Sequence, residues 1–337
     1  MFERCSFCIF TSLNNFIYMQ GILLVNVGSP QTKSRKDVKA FVRAMLSDPM
    51  VMTVPDWFRP ILVDGIILPL RQFSSTKKYS LIWDDEHDAS PLVYHMEQLA
   101  SKLENKIEKP VKIAMRYEEP NIEMALQDFC KYGNIHEVVV VPMFPHYAES
   151  SWQTAADEVG RIFMEKPYPY RITFTRPYYS HEGYIEALSD KIRPFLVEDH
   201  DLFLFNFQSL PLTHIEKGWK KGREFDYVYK AKETVLLVSK KLNIPLNKGQ
   251  IVFSSAMGKK WIQPSLDEVV KEAALNGKKR IIVTSPGFSS DNLETIYDIH
   301  IHAREIFMKH GGESFRFIPC LNSDDCWVEG LAKIITN

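Results

Sequence analysis

Three side chains able to bind a metal ion recur every four residues in the C-terminal third of the chain. They are Glu294, Asp298 and His302. Residues at i, i+4 and i+8 of a helix share one face, and a surface of carboxylates and imidazole suits a borderline metal such as Fe²⁺ or Zn²⁺ better than Ca²⁺. The spacing predicts a path that hands a divalent cation inward, although an ordinary exposed polar face has the same spacing.

Polar or turn-forming residues follow four of the predicted strands. In parallel α/β sheets, ligands collect at the carboxyl ends of the strands. We therefore expect the functional site where these four segments meet. The segments are Gly28–Pro30, Pro142–Tyr147, Gln208–Pro211 and Pro286–Phe288.

Two further segments have the chemistry to hold an organic ligand. Phe144, His146 and Tyr147 are suited to an apolar pocket with one polar group, or to a packed turn beneath a strand. Arg116 and Tyr117 follow another strand, where the guanidinium is suited to a bidentate contact with a carboxylate. A plain surface ion pair explains the arginine equally well.

The apolar stretch Trp57–Leu70 has two interpretations. It belongs to the core if it is buried. If it is partly exposed, it forms a lip for a flat apolar ligand or a membrane surface.

Strands and helices alternate along the chain, which indicates an α/β protein with parallel sheets. Continuous apolar runs such as Gly21–Val27 and Asp201–Phe207 are typical of strands buried on both faces. Shorter strands are predicted at Val111–Met115 and Arg280–Thr284, and one long helix is predicted from about Asp291 to Lys309.

The strand and helix pattern restarts near residue 176, which predicts two similar halves. We expect a tail over residues 1–19, a first Rossmann-like domain over 20–176 and a second over 177–310, with 311–337 packing back on the first. Each domain is expected to be doubly wound.

The composition excludes several classes of function. The 337 residues include 45% hydrophobic and 25% charged residues with a formal net charge of -1, so no global field favours nucleic acid. The sequence has no glycine-rich dinucleotide motif, Walker loop or nucleophile elbow. Hydride and phosphoryl transfer are therefore poor interpretations.

The five cysteines are too few and too scattered for a disulfide framework, which fits a reducing compartment. Cys5 and Cys8 have the spacing of half a zinc site, but no second pair follows. The opening residues lack the features of a signal peptide, and translation beginning at Met1 or at Met19 is equally compatible with them. We expect a cytoplasmic protein, with peripheral contact at the inner membrane face through Trp57–Leu70 left open.

Eight segments resemble the ferrochelatase family in their order and spacing, from about Gly21 to Trp327. The most specific is Pro286–Thr295, in which Glu294 stands at the position of the family's active-site glutamate. Any one segment is weak evidence, but the ordered set is strong. The other seven segments are Leu24–Pro30, Phe41–Pro49, Lys77–Trp83, Ser90–Leu92, Ala114–Tyr117, Pro142–Tyr147 and Pro319–Asn322.

The resemblance implies the chelatase fold, with a porphyrin-binding cleft between two doubly wound domains. It implies a lyase that inserts Fe²⁺ into protoporphyrin IX in the last step of haem biosynthesis, with haem as product or ligand and no tightly bound cofactor. The expected catalytic residues are Glu294 and Gln208, and the expected metal path adds Asp298 and His302. The expected substrate-binding residues are Arg116, Tyr117, Phe144, His146, Tyr147, Ser209, Leu210, Pro211, Tyr227, Gly287 and Phe288.

The sequence departs from the family pattern at a central position. The block Phe-Ser-x-His-(Gly/Ser)-Leu-Pro of relatives reads Phe205–Pro211 here, with Gln208 in place of the histidine. An amide accepts a hydrogen bond but does not take up a proton near neutral pH. Ser254–Ala256 also replaces a Gln-Ser-Arg sequence, and no C-terminal cysteine cluster follows Cys326, so no iron–sulfur centre is implied.

Three functions are compatible with these residues. One is a working ferrochelatase in which His146, His302 or Glu294 replaces the missing histidine. The second is a relative that binds haem or porphyrin without inserting metal, as a carrier, sensor or iron-releasing protein. The third is a binding module that holds no tetrapyrrole. Monomers are favoured, although the sequence does not determine the oligomeric state.

Overall fold

The computed structural model describes residues 19–245 and 248–336. The first sheet has four parallel strands in the order β2-β1-β3-β4, and the second has four parallel strands in the order β6-β5-β7-β8. The strands are β1 (Met19–Asn26), β2 (Val111–Met115), β3 (Ile135–Pro142), β4 (Arg171–Phe174), β5 (Leu202–Gln208), β6 (Gly249–Ser254), β7 (Arg280–Thr284) and β8 (Ser314–Phe317).

The two halves have the same topology, because each sheet places its first strand between its second and third. This arrangement confirms the predicted α/β class with two doubly wound halves. The helices of the first half are α1 (Arg35–Ser47), α2 (Arg59–Leu62), α3 (Leu68–Ile82), α4 (Pro91–Ile107), α5 (Ile122–Phe129) and α6 (Thr154–Glu165). Those that follow are α7 (Glu182–Ile192), α8 (Leu212–Lys221), α9 (Tyr227–Leu242), α10 (Leu266–Leu275), α11 (Arg304–Lys309) and α12 (Asp325–Thr336).

In the part of the chain that the structure describes, three segments are wound as π-helices, a rare conformation that often marks functional sites. They are Val63–Ile67, between α2 and α3, Glu149–Gln153, before α6, and Glu294–Ala303, before α11. Short 3₁₀ turns occupy Arg193–Val197 and Arg223–Phe225. The helix predicted over Asp291–Lys309 is thus a π-helix that continues into a short α-helix.

Apolar side chains form layers on both faces of each sheet. The largest cluster joins the inner faces of the two sheets to α4, α7, α9 and α12. Separate clusters lie under α5 and α6 in the first half and under α10 and α11 in the second. A fourth cluster packs α1 and α3 against the π-helix that begins at Glu294. The core therefore fixes the strand ends of both halves relative to one another.

The C-terminal segment divides between the halves, which corrects part of the predicted domain boundary. Residues Ser314–Phe317 pair with β7 and complete the second sheet, because four backbone positions of the two strands are in register. Helix α12 contacts both α4 and α7, and its Trp327 is fully buried. This last helix, together with Ser323, whose carbonyl accepts from Lys102 of α4 at 2.9 Å, contacts the first half.

The pair Cys5 and Cys8 and nearly all of the predicted tail lie outside the described residues. Within the described part of the chain, no helix is long and apolar enough to cross a membrane.

Candidate active site

Glu294 begins the π-helix that follows β7, and polar side chains fix its backbone. The side-chain oxygen of Asn292 accepts hydrogen bonds from the N–H groups of Glu294 and Thr295, at 2.8 and 3.4 Å. Asp291 and Asn322 hold the preceding turn through reciprocal bonds of 2.8 and 2.7 Å. The helix start is therefore clamped to the C-terminal segment.

Gln208 is the last residue of β5, and its side chain lies directly against Glu294. In the orientation that satisfies both groups, the Gln208 amide nitrogen donates to both carboxylate oxygens of Glu294, at 2.6 Å from Oε1. The two residues predicted to be catalytic are thus hydrogen-bonded, although 86 positions separate them in the sequence.

A second donor comes from the neighbouring strand. Ser254, paired with Gln208 in the strand register, donates from Oγ to Glu294 Oε1 at 2.6 Å. The buried Asn206 side chain donates in turn to Ser254 Oγ at 3.0 Å. Sequence reasoning missed Asn206 and treated Ser254 only as a departure from the family pattern, although both lie at the carboxyl ends of adjacent strands.

The environment of Glu294 favours its protonated form. The pKa of the Glu294 carboxyl is raised to about 7, mainly by burial and to a smaller extent by the nearby Asp298 carboxylate, which together outweigh the lowering effect of the Ser254 hydrogen bond. A group with this pKa exchanges its proton readily near neutral pH. Glu294 can therefore accept or release a proton under physiological conditions.

The other two members of the predicted metal path are engaged with side chains of other elements. Asp298 Oδ1 lies 2.8 Å from Lys78 Nζ, and His302 Nε2 lies 3.5 Å from Asp267 Oδ2. Exposure increases along the row, from partly buried Glu294 to 27% for the Asp298 side chain and 47% for His302. Within the described ranges, no cluster of three His, Cys, Asp or Glu side chains is arranged to hold a metal ion.

His146 is buried and remains neutral. Its Nε2 lies 2.9 Å from Thr234 Oγ1, and its ring packs edge-on against Phe207, with 5.2 Å between centroids. Burial lowers the pKa of His146 to about 3, with a further contribution from Lys230. Because it has no charge near neutral pH, His146 does not reproduce the proton uptake of the missing histidine.

Comparisons with known proteins agree with this geometry. The family model named Ferrochelatase matches residues 19–337. The chain belongs to the ferrochelatase family.

Curated ferrochelatases from several bacteria are similar over nearly their whole length. The one from Porphyromonas gingivalis is 32% identical and covers 93% of this chain and 95% of its own. The one from Vibrio parahaemolyticus is 31% identical, with 94% and 97% covered. The one from Francisella tularensis subsp. tularensis is 34% identical, with 94% and 95% covered.

Two solved structures share the fold of this ferrochelatase family member at 12% sequence identity. SirB from Bacillus subtilis with Fe³⁺ has a TM-score of 0.55, and 94% of each chain is covered. DR2241 from Deinococcus radiodurans, a multi-domain protein with structural similarity to chelatases, has a TM-score of 0.51, with 94% of this chain and 54% of that one covered. They support the chelatase fold alone.

The segment after Gln208, a ferrochelatase block in the sequence, is mostly packed inside the protein. Ser209 is fully buried and donates from Oγ to the Ile262 carbonyl at 3.0 Å, and Leu210 belongs to the largest apolar cluster. Pro211 is half-buried at the start of α8. These residues therefore position Gln208, and little of their surface is exposed for contact with a ligand.

Tyr227 and Gly287 lie beside the two central residues. Burial raises the pKa of the Tyr227 hydroxyl, and the Glu294 carboxylate raises it further. A Cβ added at Gly287 would lie 3.4 Å from the Phe207 ring. The adjacent Phe288 is half-buried.

Arg116 and Tyr117 converge on a carboxylate of the protein itself. Arg116 Nη2 and the Tyr117 hydroxyl donate to Asp48 Oδ2 at 3.0 and 2.8 Å, and Thr154 Oγ1 donates to the same oxygen at 2.5 Å. The Arg116 side chain remains 20% exposed. Asp48 therefore occupies part of the hydrogen-bonding capacity that we expected for a substrate carboxylate.

The remaining predicted pocket residues lie in two different layers. Tyr147 is buried and packs edge-on against Phe225, with ring centroids 4.9 Å apart. Phe144 is partly buried and packs against the cluster under α5 and α6. The structure thus places Tyr147, but not Phe144, on the side of the second half.

An exposed apolar surface covers α2, the following π-helix and α3. Trp57 is 74% exposed and Leu70 is 75% exposed. We call this surface the apolar lip, and its members are Trp57, Ile61, Ile66, Leu70 and Phe73. Its exposure favours the lip over the core interpretation of the Trp57–Leu70 stretch.

Proposed function

We propose that this protein inserts Fe²⁺ into protoporphyrin IX and produces haem b, as the last step of haem biosynthesis. The family assignment supports the substrate class, and the hydrogen-bonded pair Gln208 and Glu294 supports the reaction. Metal insertion replaces the two N–H protons of the porphyrin with one Fe²⁺, so the site must remove two protons. A carboxyl group with a pKa near 7 is suited to that transfer.

Glu294 is the proton acceptor in this proposal. Its carboxylate receives a pyrrole proton, and Gln208 and Ser254 hold it in place through neutral hydrogen bonds. Gln208 itself has no basic nitrogen, so both protons leave through Glu294 in turn. The divalent cation approaches along Asp298 and His302, where exposure is greater.

The porphyrin would lie beside this pair, between the two halves. On the Glu294 side the porphyrin would contact Tyr227, Gly287 and Phe288. From the first half, Arg116 and Tyr117 would contribute polar groups. The apolar lip is suited to a flat apolar ligand and to peripheral contact with a membrane from the cytoplasmic side. We expect no iron–sulfur cluster and no other resident cofactor.

A second function is favoured by one observation, which is the amide at position 208. If Glu294 alone does not remove protons fast enough, the protein binds haem or porphyrin without metalating it. Loss of a general base typically lowers a rate about a hundredfold to ten-thousandfold.

Anaerobic mixing with protoporphyrin IX and Fe²⁺ or Zn²⁺, followed by absorbance, tests the proposal. We expect metal insertion by the natural protein and at least about a hundredfold less by Glu294→Gln. Glu305→Gln, an exposed change in α11, is the control and should keep full activity. Porphyrin binding without insertion would support the second function, and no tetrapyrrole binding would exclude both.

A further inference from the structure

An ion pair links the helix of the apolar lip to the predicted metal path. Lys78 in α3 places Nζ 2.8 Å from Asp298 Oδ1 and 4.4 Å from the centre of the Tyr297 ring. The two charged side chains are 34% and 27% exposed. Ions in solution can therefore reach the pair.

Asp298 is the middle member of the predicted metal path, between exposed His302 and partly buried Glu294. His302, one step further out, is 47% exposed, and Glu294, one step inward, is held by Gln208 and Ser254. A cation moving inward along this face meets Asp298 before it meets Glu294. The Lys78 ammonium occupies the position on Asp298 Oδ1 that such a cation would take.

The surroundings of Asp298 are otherwise acidic or neutral. Ser255 Oγ lies 3.4 Å from Oδ2, and the nearby Asp267 carboxyl has its pKa raised by burial and by Asp298. Within the described part of the chain, Lys78 pairs with Asp298, and His302, when protonated, pairs with Asp267. The ammonium thus neutralises a surface that would otherwise attract divalent ions.

We propose that Lys78 determines how tightly this face binds a divalent cation, because the metal ion must displace the ammonium from Asp298. Tyr297 retains the displaced ammonium through its ring face, so that the exchange does not require α3 to move away. Lys78 is then a specificity-determining residue of the metal path. This inference rests on the proposed route of the metal, but not on turnover.

Zn²⁺ binding to the full, porphyrin-free protein tests this inference, measured by competition with a chromophoric chelator. We expect Lys78→Gln to lower the Kd for Zn²⁺ about threefold to tenfold, because a partly screened positive charge has been removed. Lys77→Gln removes the same charge from the exposed neighbouring position and should leave the Kd near the natural value. Lys78→Met, which keeps an apolar stem over Tyr297, should bind Zn²⁺ as tightly as Lys78→Gln does.

The role of Asp298 is tested by a double variant. In an Asp298→Asn background, Lys78→Gln should produce no gain in affinity. Equal Kd values for Lys78→Gln and Lys77→Gln, a gain that persists without Asp298, or no Zn²⁺ binding by any variant would overturn the inference.

The outcome is separable from that of the proposed function. Metal insertion with no effect of Lys78 on Zn²⁺ affinity would reject the inference alone. Tighter Zn²⁺ binding by Lys78→Gln without metal insertion in any variant would reject the proposed function alone.

Discussion

The side-chain amide of Gln208, at the end of β5, donates to the carboxylate of Glu294, at the start of the π-helix Glu294–Ala303. The contact joins a proton acceptor to a residue that cannot itself accept a proton. An imidazole at this position would add a second proton acceptor beside Glu294.

Gln208→His is therefore expected to increase the rate of metal insertion about tenfold to a hundredfold. The new imidazole gains a basic nitrogen next to Glu294, and the carboxylate stabilises its protonated form. Anaerobic metalation assays with Zn²⁺ measure the change. Gln127→His, at an exposed position of α5, is the control. An unchanged rate would show that proton removal by Glu294 does not limit the reaction.

The pKa of Glu294 also predicts how stability depends on pH. The carboxyl has a pKa of about 7 in the folded protein, above its value of 4.5 in an unfolded chain. Between these values the unfolded chain releases a proton that the folded protein keeps, so stability falls as pH rises and levels off above pH 7.

Glu294→Gln removes this dependence, since an amide does not ionise. The variant should gain about 1–3 kcal/mol of unfolding free energy relative to the natural protein between pH 5 and pH 8. Urea denaturation at pH 5, 6, 7 and 8 measures the difference. A constant difference at all four pH values would contradict the raised pKa.

Asp48 is predicted to be a major contributor to the stability of the first half. It accepts from Arg116, Tyr117 and Thr154 through one oxygen and from the Met50 backbone N–H through the other, at 2.7 Å. Asp48→Asn leaves the guanidinium without its buried partner and should lower the unfolding free energy by about 2–4 kcal/mol.

Denaturant unfolding measures this loss against a matched variant. Asp85→Asn removes an exposed carboxylate with one lysine partner and should cost less than about 1 kcal/mol. Equal stabilities of the two variants would argue against the role of Asp48.

The apolar lip predicts association with lipid surfaces. Replacing Trp57 and Leu70 by serine removes two side chains that are 74% and 75% exposed, and it should reduce cosedimentation with anionic vesicles several-fold. Met164→Ser changes an apolar side chain that is 83% exposed outside the lip and should have no effect. Equal sedimentation of both variants would restrict the lip to ligand binding.

The sequence by itself determined where the strands lie along the chain and that they belong to buried parallel sheets. The predicted bounds of Val111–Met115 and Arg280–Thr284 are those of the structure. For Arg280–Thr284 the physical reason is that an inner strand buried on both faces needs a continuous apolar run. It also indicated that Glu294 and Gln208 belong to one site, since the carboxyl ends of parallel strands lie at one edge of a sheet. Helix α8 was not predicted, since its ten residues are largely polar and carry three lysines.

Only the tertiary structure decided how the site side chains are partnered. The ion pair of Lys78 and Asp298 joins residues 220 positions apart, and the Asp48 carboxylate reaches Arg116 across 68 positions. Local sequence patterns carry no information on such contacts, because they depend on how separately formed elements pack. The π-helical winding from Glu294 has the same origin, since periodicity alone predicts an ordinary helix.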